Sequence, residues 1–187
     1  MRQMLRTLLQ PLPLAGLLTL LTVGYSLRFV DPAQQLPAAG LLAAFVVLFV
    51  VLQLLPEQRR VPQHLVLVTM PVVALALNAF TQKVSTAQVL LVVWAACLFA
   101  VWPPRLAIAA GLVANAAFYL LVRGAGSGSP LSMVLINMGF QALAAICVHY
   151  ARSAERSRDA LARVNADLLA TRALLAGSAR AAERLGT

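Results

Sequence analysis

Between Arg123 and Arg152 the chain carries no Asp, Glu, Lys or Arg, and from Arg152 onward it becomes charged, Ala-rich and periodic in sevens. An uncharged apolar stretch of that length cannot form the surface of a water-soluble domain. The whole chain shares the bias. Of 187 residues, 61% are hydrophobic and only 11% charged, where soluble domains carry about 25% charged residues. Mean hydropathy is +0.84. Too little polar material is present to clothe a soluble core, so the expected class is an integral membrane protein.

Six apolar runs are long enough to cross a hydrocarbon layer of roughly 30 Å. They lie at about Leu12–Phe29, Leu36–Leu55, Val61–Phe80, Thr86–Trp102, Leu106–Val122 and Leu131–Tyr150. Backbone polar groups in lipid must be satisfied within the segment, and alternating polarity is absent, so these runs are expected to be helices rather than barrel strands. The basic start Met1-Arg2-Gln3-Met4-Leu5-Arg6 before the first run resembles a signal peptide. No convincing small-x-small cleavage site follows, and the run reads as a retained first span. Connections are short: Asp31-Pro32, the Pro56–Pro62 segment, Trp102-Pro103-Pro104-Arg105 and the Gly/Ser-rich stretch from Gly124 to Pro130. None has room for a folded sensor domain outside the membrane. Pro71 is expected to kink the third helix. Gly40 with Ala44, and Ala107 with Gly111, are small-xxx-small pairs that permit close helix approach.

The net charge of +9 raises nucleic acid as a partner, but its distribution points elsewhere. Basic residues sit at the ends of apolar runs and spread along the tail, a pattern of membrane topology and anionic headgroups. With six crossings, Arg2, Arg6, Arg59, Arg60, Arg105, Arg152, Arg156, Arg158, Arg163, Arg172, Arg180 and Arg184 share one side, and only Arg28, Lys83 and Arg123 face the other. The positive-inside rule then places both termini in the cytoplasm.

No acidic or basic side chain lies well inside a run, which counts against ion-coupled transport and proton pumping. The polar residues expected to be buried within the runs are Thr69, Asn78, Gln88, Asn115, Asn137, Gln141 and His149. They read either as interhelical hydrogen-bonding glue or as a polar pocket or switch. Asn78, Asn115, Asn137, Gln141 and His149 are the candidate sensing residues. Asn137 and Gln141 are four apart and share one helix face. His64 and His149 lack a carboxylate or cysteine companion and make a poor metal or haem set. Cys97 and Cys147 lie in apolar runs without CxxC spacing and read as small hydrophobes. No Ser-His-Asp set, HExxH, Walker loop or GxGxxG occurs. No catalytic residue, metal site or cofactor site is expected in this chain.

In the tail, positions seven apart read Ala154, Leu161, Leu168, Leu175 and Ala182, and positions three later read Ser157, Val164, Thr171, Ser178 and Leu185. Taken as a and d, these define a coiled-coil seam, expected to pair two copies through Ala154, Leu161, Val164, Leu168, Thr171, Leu175 and Leu185. Asp167 at g and Arg172 at e are five apart, the spacing of a g-to-e′ pair in a parallel dimer. The polar d positions and Gly177 make the seam marginal, as a two-state device requires. A single amphipathic helix lying on the membrane is the competing reading of the tail, weakened by the lack of aromatic anchors after Tyr150. From Phe140 to Ala176 neither Pro nor Gly interrupts the chain, a helix of roughly 55 Å at 1.5 Å per residue.

The stretch from Ala166 to Leu185, ending Glu183-Arg184-Leu185, resembles the signalling helix of DesK-like bacterial sensor histidine kinases. There an ERL-type stretch runs directly into an RIARELHD-type box that bears the phosphorylated histidine. Here Gly186-Thr187 follows instead, with no such box and no ATP-binding domain, and His149 lacks the flanking motif. The resemblance implies an all-α chain made of a six-span transmembrane sensor (residues 1–152) and a cytoplasmic coiled-coil signalling helix (153–187). It also implies dimerisation, and a stimulus felt in or at the lipid bilayer. ATP, magnesium and a response regulator are implied only for a kinase region that this chain lacks. The alternative is a small six-helix transporter or channel with an oligomerising tail.

Overall fold

The computed structural model describes residues 11–55, 60–81, 85–126 and 129–185, with the backbone alone for 11, 12, 85, 86 and 173–185. Expectations about Arg2, Arg6, Arg59, Lys83 and Gly186-Thr187 lie outside the described residues, as do those about the side chains of Leu175, Ser178, Arg180, Ala182, Arg184 and Leu185. The described residues are helical and contain no strand. The order is α1 (Pro11–Ser26), a 3-10 turn (Leu27–Phe29), α2 (Pro32–Leu54), α3 (Arg60–Phe80), a 3-10 turn (Ser85–Gln88), α4 (Val89–Val101), α5 (Pro104–Gly124) and α6 (Pro130–Leu185). The chain divides into two units, Met1–Val148 and His149–Thr187.

Prolines set several helix starts. Pro32 and Pro104 occupy first-turn positions of α2 and α5, where the missing N–H has no intrahelical partner to lose. The Asp31 carbonyl accepts the Gln34 and Gln35 amides at 2.8 and 3.1 Å. The second helix therefore begins four residues before the apolar run does. Its first turn carries Gln34 and Gln35, which lower local hydropathy without opposing helix.

Four helices, α2, α3, α5 and the first part of α6, are long and apolar enough to cross a membrane. With α1 they carry outward-facing Leu18, Leu21, Leu36, Val47, Val72, Val113 and Leu120, all more than half exposed. Such apolar surface is the mark of a membrane protein. α1 and α4 are shorter, at 16 and 13 residues. α4 alone spans about 20 Å at 1.5 Å per residue. The preceding 3-10 turn of four residues adds about 8 Å at 2 Å per residue.

In the first unit α2 packs on α3, α3 on α4 and α5, α1 on α2 and α4, and α4 on α5. α4 is apolar all round, and Leu90, Leu91, Val93, Trp94, Ala95, Cys97 and Leu98 are all buried. Among the described glycines, Gly16 of α1 is the most tightly packed, and a β-carbon there would lie 2.6 Å from Phe49 Cζ. A β-carbon at Gly40 or Gly111 would meet nothing within 4 Å. The sequence-level packing pairs at those glycines are therefore not close-approach points within the chain.

Pro71 lies inside α3 and has no N–H to give to the carbonyl one turn earlier, at Leu67. That carbonyl instead accepts a hydrogen bond from the buried Trp94 indole N–H of α4, at 2.7 Å. The indole thus repairs the break in α3 and ties the two central helices together. Trp94→Phe should lower stability by about 1–3 kcal/mol, the cost of a buried carbonyl left unpaired. Adding Pro71→Ala should recover part of that loss by returning an N–H to Leu67. Thermal unfolding in detergent measures both; equal melting of wild type and Trp94→Phe would refute the repair.

Candidate functional site

A polar side chain inside a membrane helix has two ways to satisfy itself: bond its own backbone or find a partner on another helix. Most polar groups here take the first. The hydroxyls of Thr19, Thr22, Thr69 and Thr81 donate to carbonyls four residues back, at 2.7–3.0 Å. Ser26 donates to the Val23 carbonyl at 2.7 Å. Asn78 is buried, and its Nδ2 donates to the Ala74 carbonyl at 3.0 Å.

Asn115, Asn137 and Gln141 take the second. Asn115 sits on α5, and Asn137 and Gln141 lie one turn apart on α6; all three are at least 94% buried. Asn115 Nδ2 donates to Gln141 Oε1 at 2.7 Å and to the Gly111 carbonyl at 2.8 Å. Its Oδ1 accepts from Asn137 Nδ2 at 3.1 Å. One carboxamide on α5 is thus clamped by two on α6. Each carboxamide brings two donor hydrogens and an oxygen with two lone pairs, and the geometry of this cluster does not pair them all. The group left over is Gln141 Nε2, which is buried and has no hydrogen-bond partner. In a hydrocarbon surrounding, an unpaired donor costs about 1–3 kcal/mol.

This cluster dominates the attachment of α6 within the first unit. The residues that α6 buries there are Val134, Asn137, Gln141 and Val148, a stripe at helical spacing in which two members are carboxamides. Close backbone approaches to the other helices are fewer for α6 than for any other α-helix of that unit. Two cavities, of about 170 and 370 Å³, both touch Asn115 and Met138. The smaller one also reaches Gln141 and is otherwise walled by apolar side chains such as Leu98, Phe99 and Ala107. The α5–α6 contact is therefore a polar clasp with apolar gaps beside it.

The remaining sequence candidates lie apart from this cluster. Asn78 bonds its own helix, and Gln88 is half-buried in the second 3-10 turn. His149 opens the second unit, exposed, with its ring edge-on to Tyr150 at 6.1 Å between centroids. His64 is exposed, and its Nδ1 accepts the Trp102 indole N–H at 2.7 Å. That bond requires the lone pair on Nδ1 and leaves the proton on Nε2. Sequence reasoning missed the Trp102–His64 and Trp94–Leu67 bonds. The signal for the second was available: an interior proline implies an orphaned carbonyl four residues earlier. Among the described residues no group of three metal-ligating side chains occurs.

In the second unit every residue from Ser153 to Arg172 is exposed. Two of the polar d positions are already satisfied locally. Ser157 Oγ donates to the Ser153 carbonyl at 3.0 Å, and Thr171 Oγ1 to the Asp167 carbonyl at 2.8 Å. Their hydroxyls can enter a helix–helix seam without a stranded donor.

Comparison with protein-family models, curated proteins and solved structures returns no match for this chain.

The clasp makes a non-additive prediction. Asn115→Leu alone strands the amides of both Asn137 and Gln141 and should cost several kcal/mol at about 1–3 for each buried group. The triple variant Asn115→Leu, Asn137→Leu, Gln141→Leu removes every partner together and should be closer to wild type than the single variant. Unfolding in detergent decides it; a triple variant less stable than wild type by the sum of three independent losses would contradict the clasp.

Proposed function

We propose that this chain is the sensing and transmission module of a bacterial, DesK-like two-component sensor histidine kinase. It responds to a bilayer-related or membrane-borne stimulus and relays it along α6. The observation that carries this reading is α6 itself: one helix, Pro130–Leu185, that begins as a membrane-length apolar segment and ends in a seven-residue seam. A helix of that kind has few uses other than joining events in the membrane to events in a paired coil. The clasp supplies a place where bilayer state can act. α6 is held by polar bonds between apolar gaps, and an orphaned donor on Gln141 raises the energy of the observed arrangement. Alternative placements of α6 then lie within the few kcal/mol that a switch requires.

On this reading the first unit crosses the membrane six times, with both termini in the cytoplasm. α4 completes its crossing with the help of its 3-10 turn. Two copies pair in parallel through Ala154, Leu161, Val164, Leu168, Thr171, Leu175 and Leu185. The chain performs no catalysis; ATP, magnesium and the response regulator belong to a kinase region outside residues 1–187. The transporter alternative requires a water-accessible polar path. The bonding of Asn115, Asn137 and Gln141 to one another, and the apolar walls of the cavities beside them, favour the sensor.

Reporter fusions within Gly124 to Ser129 should give an external signal, and fusions after Thr187 a cytoplasmic one. A cytoplasmic signal from the first site overturns the six-span topology. In a chain carrying its kinase region, two prolines inserted near Ser157 should abolish stimulus-dependent phosphorylation while expression and dimerisation persist. Survival of the response would refute transmission through α6. An ELHD-like box within about the next 50 codons of the gene is the expected outcome for the family assignment, and its absence there would remove it.

A further inference from the structure

Within the first unit α6 presents two stripes to two surroundings. Val134, Asn137, Gln141 and Val148 are buried against the chain's own helices. One residue back along each step lie Met133, Ile136, Phe140 and Cys147, with Leu143 between the last two. Met133 is half-buried; Ile136, Phe140 and Leu143 are 56–57% exposed, and Cys147 is exposed. One residue is about 100° around a helix of 3.6 residues per turn. Using the second stripe therefore leaves the clasp untouched.

The second stripe carries the numbering of the tail. Counted in sevens back from Ala154, the a positions are Cys147, Phe140 and Met133; counted back from Ser157, the d positions are Tyr150, Leu143 and Ile136. The register that defines the tail seam thus selects the exposed stripe of the membrane segment and not the buried one. We infer that Ile136, Phe140, Leu143 and Cys147 form a self-association face inside the membrane, occupied by the same face of a second copy of this chain.

Three physical points select a second copy over lipid or an unrelated helix. Two copies inserted in one membrane with the same topology are necessarily parallel and at equal depth, so identical registers meet residue to residue about a two-fold axis. The Asp167 and Arg172 spacing is complementary only between parallel, in-register helices. Lipid and protein compete evenly for an apolar stripe, because no hydrophobic driving force acts between helices in hydrocarbon. A seam already closed in the tail removes that balance by making the membrane contact effectively intramolecular. The inference rests on the paired tail of the proposed function and adds the membrane segment to it.

The native thiol at Cys147 reports on the contact. Membranes bearing the full chain with Cys97→Ala, alongside wild type, are treated with copper-phenanthroline, which oxidises two apposed thiols to a disulfide. Cys147 should give a dimer that reductant dissolves. In a Cys97→Ala, Cys147→Ala background, Leu143→Cys should crosslink several-fold more than Ala142→Cys, an exposed neighbour off the stripe. Leu168→Cys in the same background tests the tail alone. Equal crosslinking at 142 and 143 reflects random collision and overturns the inference. No crosslinking at 143 and 147, with ready crosslinking at 168, overturns it while the paired tail stands. No crosslinking at any of the three removes the paired tail as well.

Discussion

Inside a bilayer no water is available to satisfy a polar group, and every backbone and side-chain donor or acceptor must find its partner within the protein. This structure is organised around that requirement. Hydroxyls fold back onto their own helices, Asn78 does the same, and the carbonyl orphaned by Pro71 is met by Trp94. Each of these solutions locks a helix or a helix pair in place. The exception is the carboxamide cluster of Asn115, Asn137 and Gln141, where three polar groups satisfy one another incompletely and Gln141 Nε2 is left over. The α3–α4 junction, tied by Trp94, and the α5–α6 junction, clasped by carboxamides, are two answers to the same constraint.

The difference matters because of what α6 is. A buried apolar interface resists displacement through many small contacts that are all lost together. An interface whose buried stripe holds two carboxamides depends on a few directional bonds that can be exchanged for others. α4, by contrast, is apolar all round and buries Leu90, Leu91, Val93, Trp94, Ala95, Cys97 and Leu98 without a polar partner stripe. The sensor reading draws its support from that contrast.

Much of this was legible in the residues. The apolar runs mark the helices to within a few residues, because hydrocarbon permits little else. The four-residue spacing of Asn137 and Gln141 places them on one face without any structure. Their partner was not legible as such: Asn115 appears in the sequence as one of several polar residues, and only tertiary packing selects it over Asn78 or His149. Packing glycines were also hidden. Gly40 and Gly111 have small partners four residues away, yet Gly16 makes the close approach, because the large residue opposite it, Phe49, comes from another helix. The start of α2 fell outside its apolar run because hydropathy does not register a proline at a helix N-terminus.

The most direct measurement is a pulsed electron-resonance distance between spin labels at Arg163→Cys in the two copies of a dimer, with Cys97 and Cys147 replaced by Ala. It would be recorded in bilayers of short and of long acyl chains. If the carboxamide clasp lets bilayer state reposition α6, the distance distribution shifts between the two bilayers. The shift then disappears in the triple variant Asn115→Leu, Asn137→Leu, Gln141→Leu. A distribution that is the same in both bilayers for the chain with its clasp intact, or a shift that survives loss of all three carboxamides, would contradict this account.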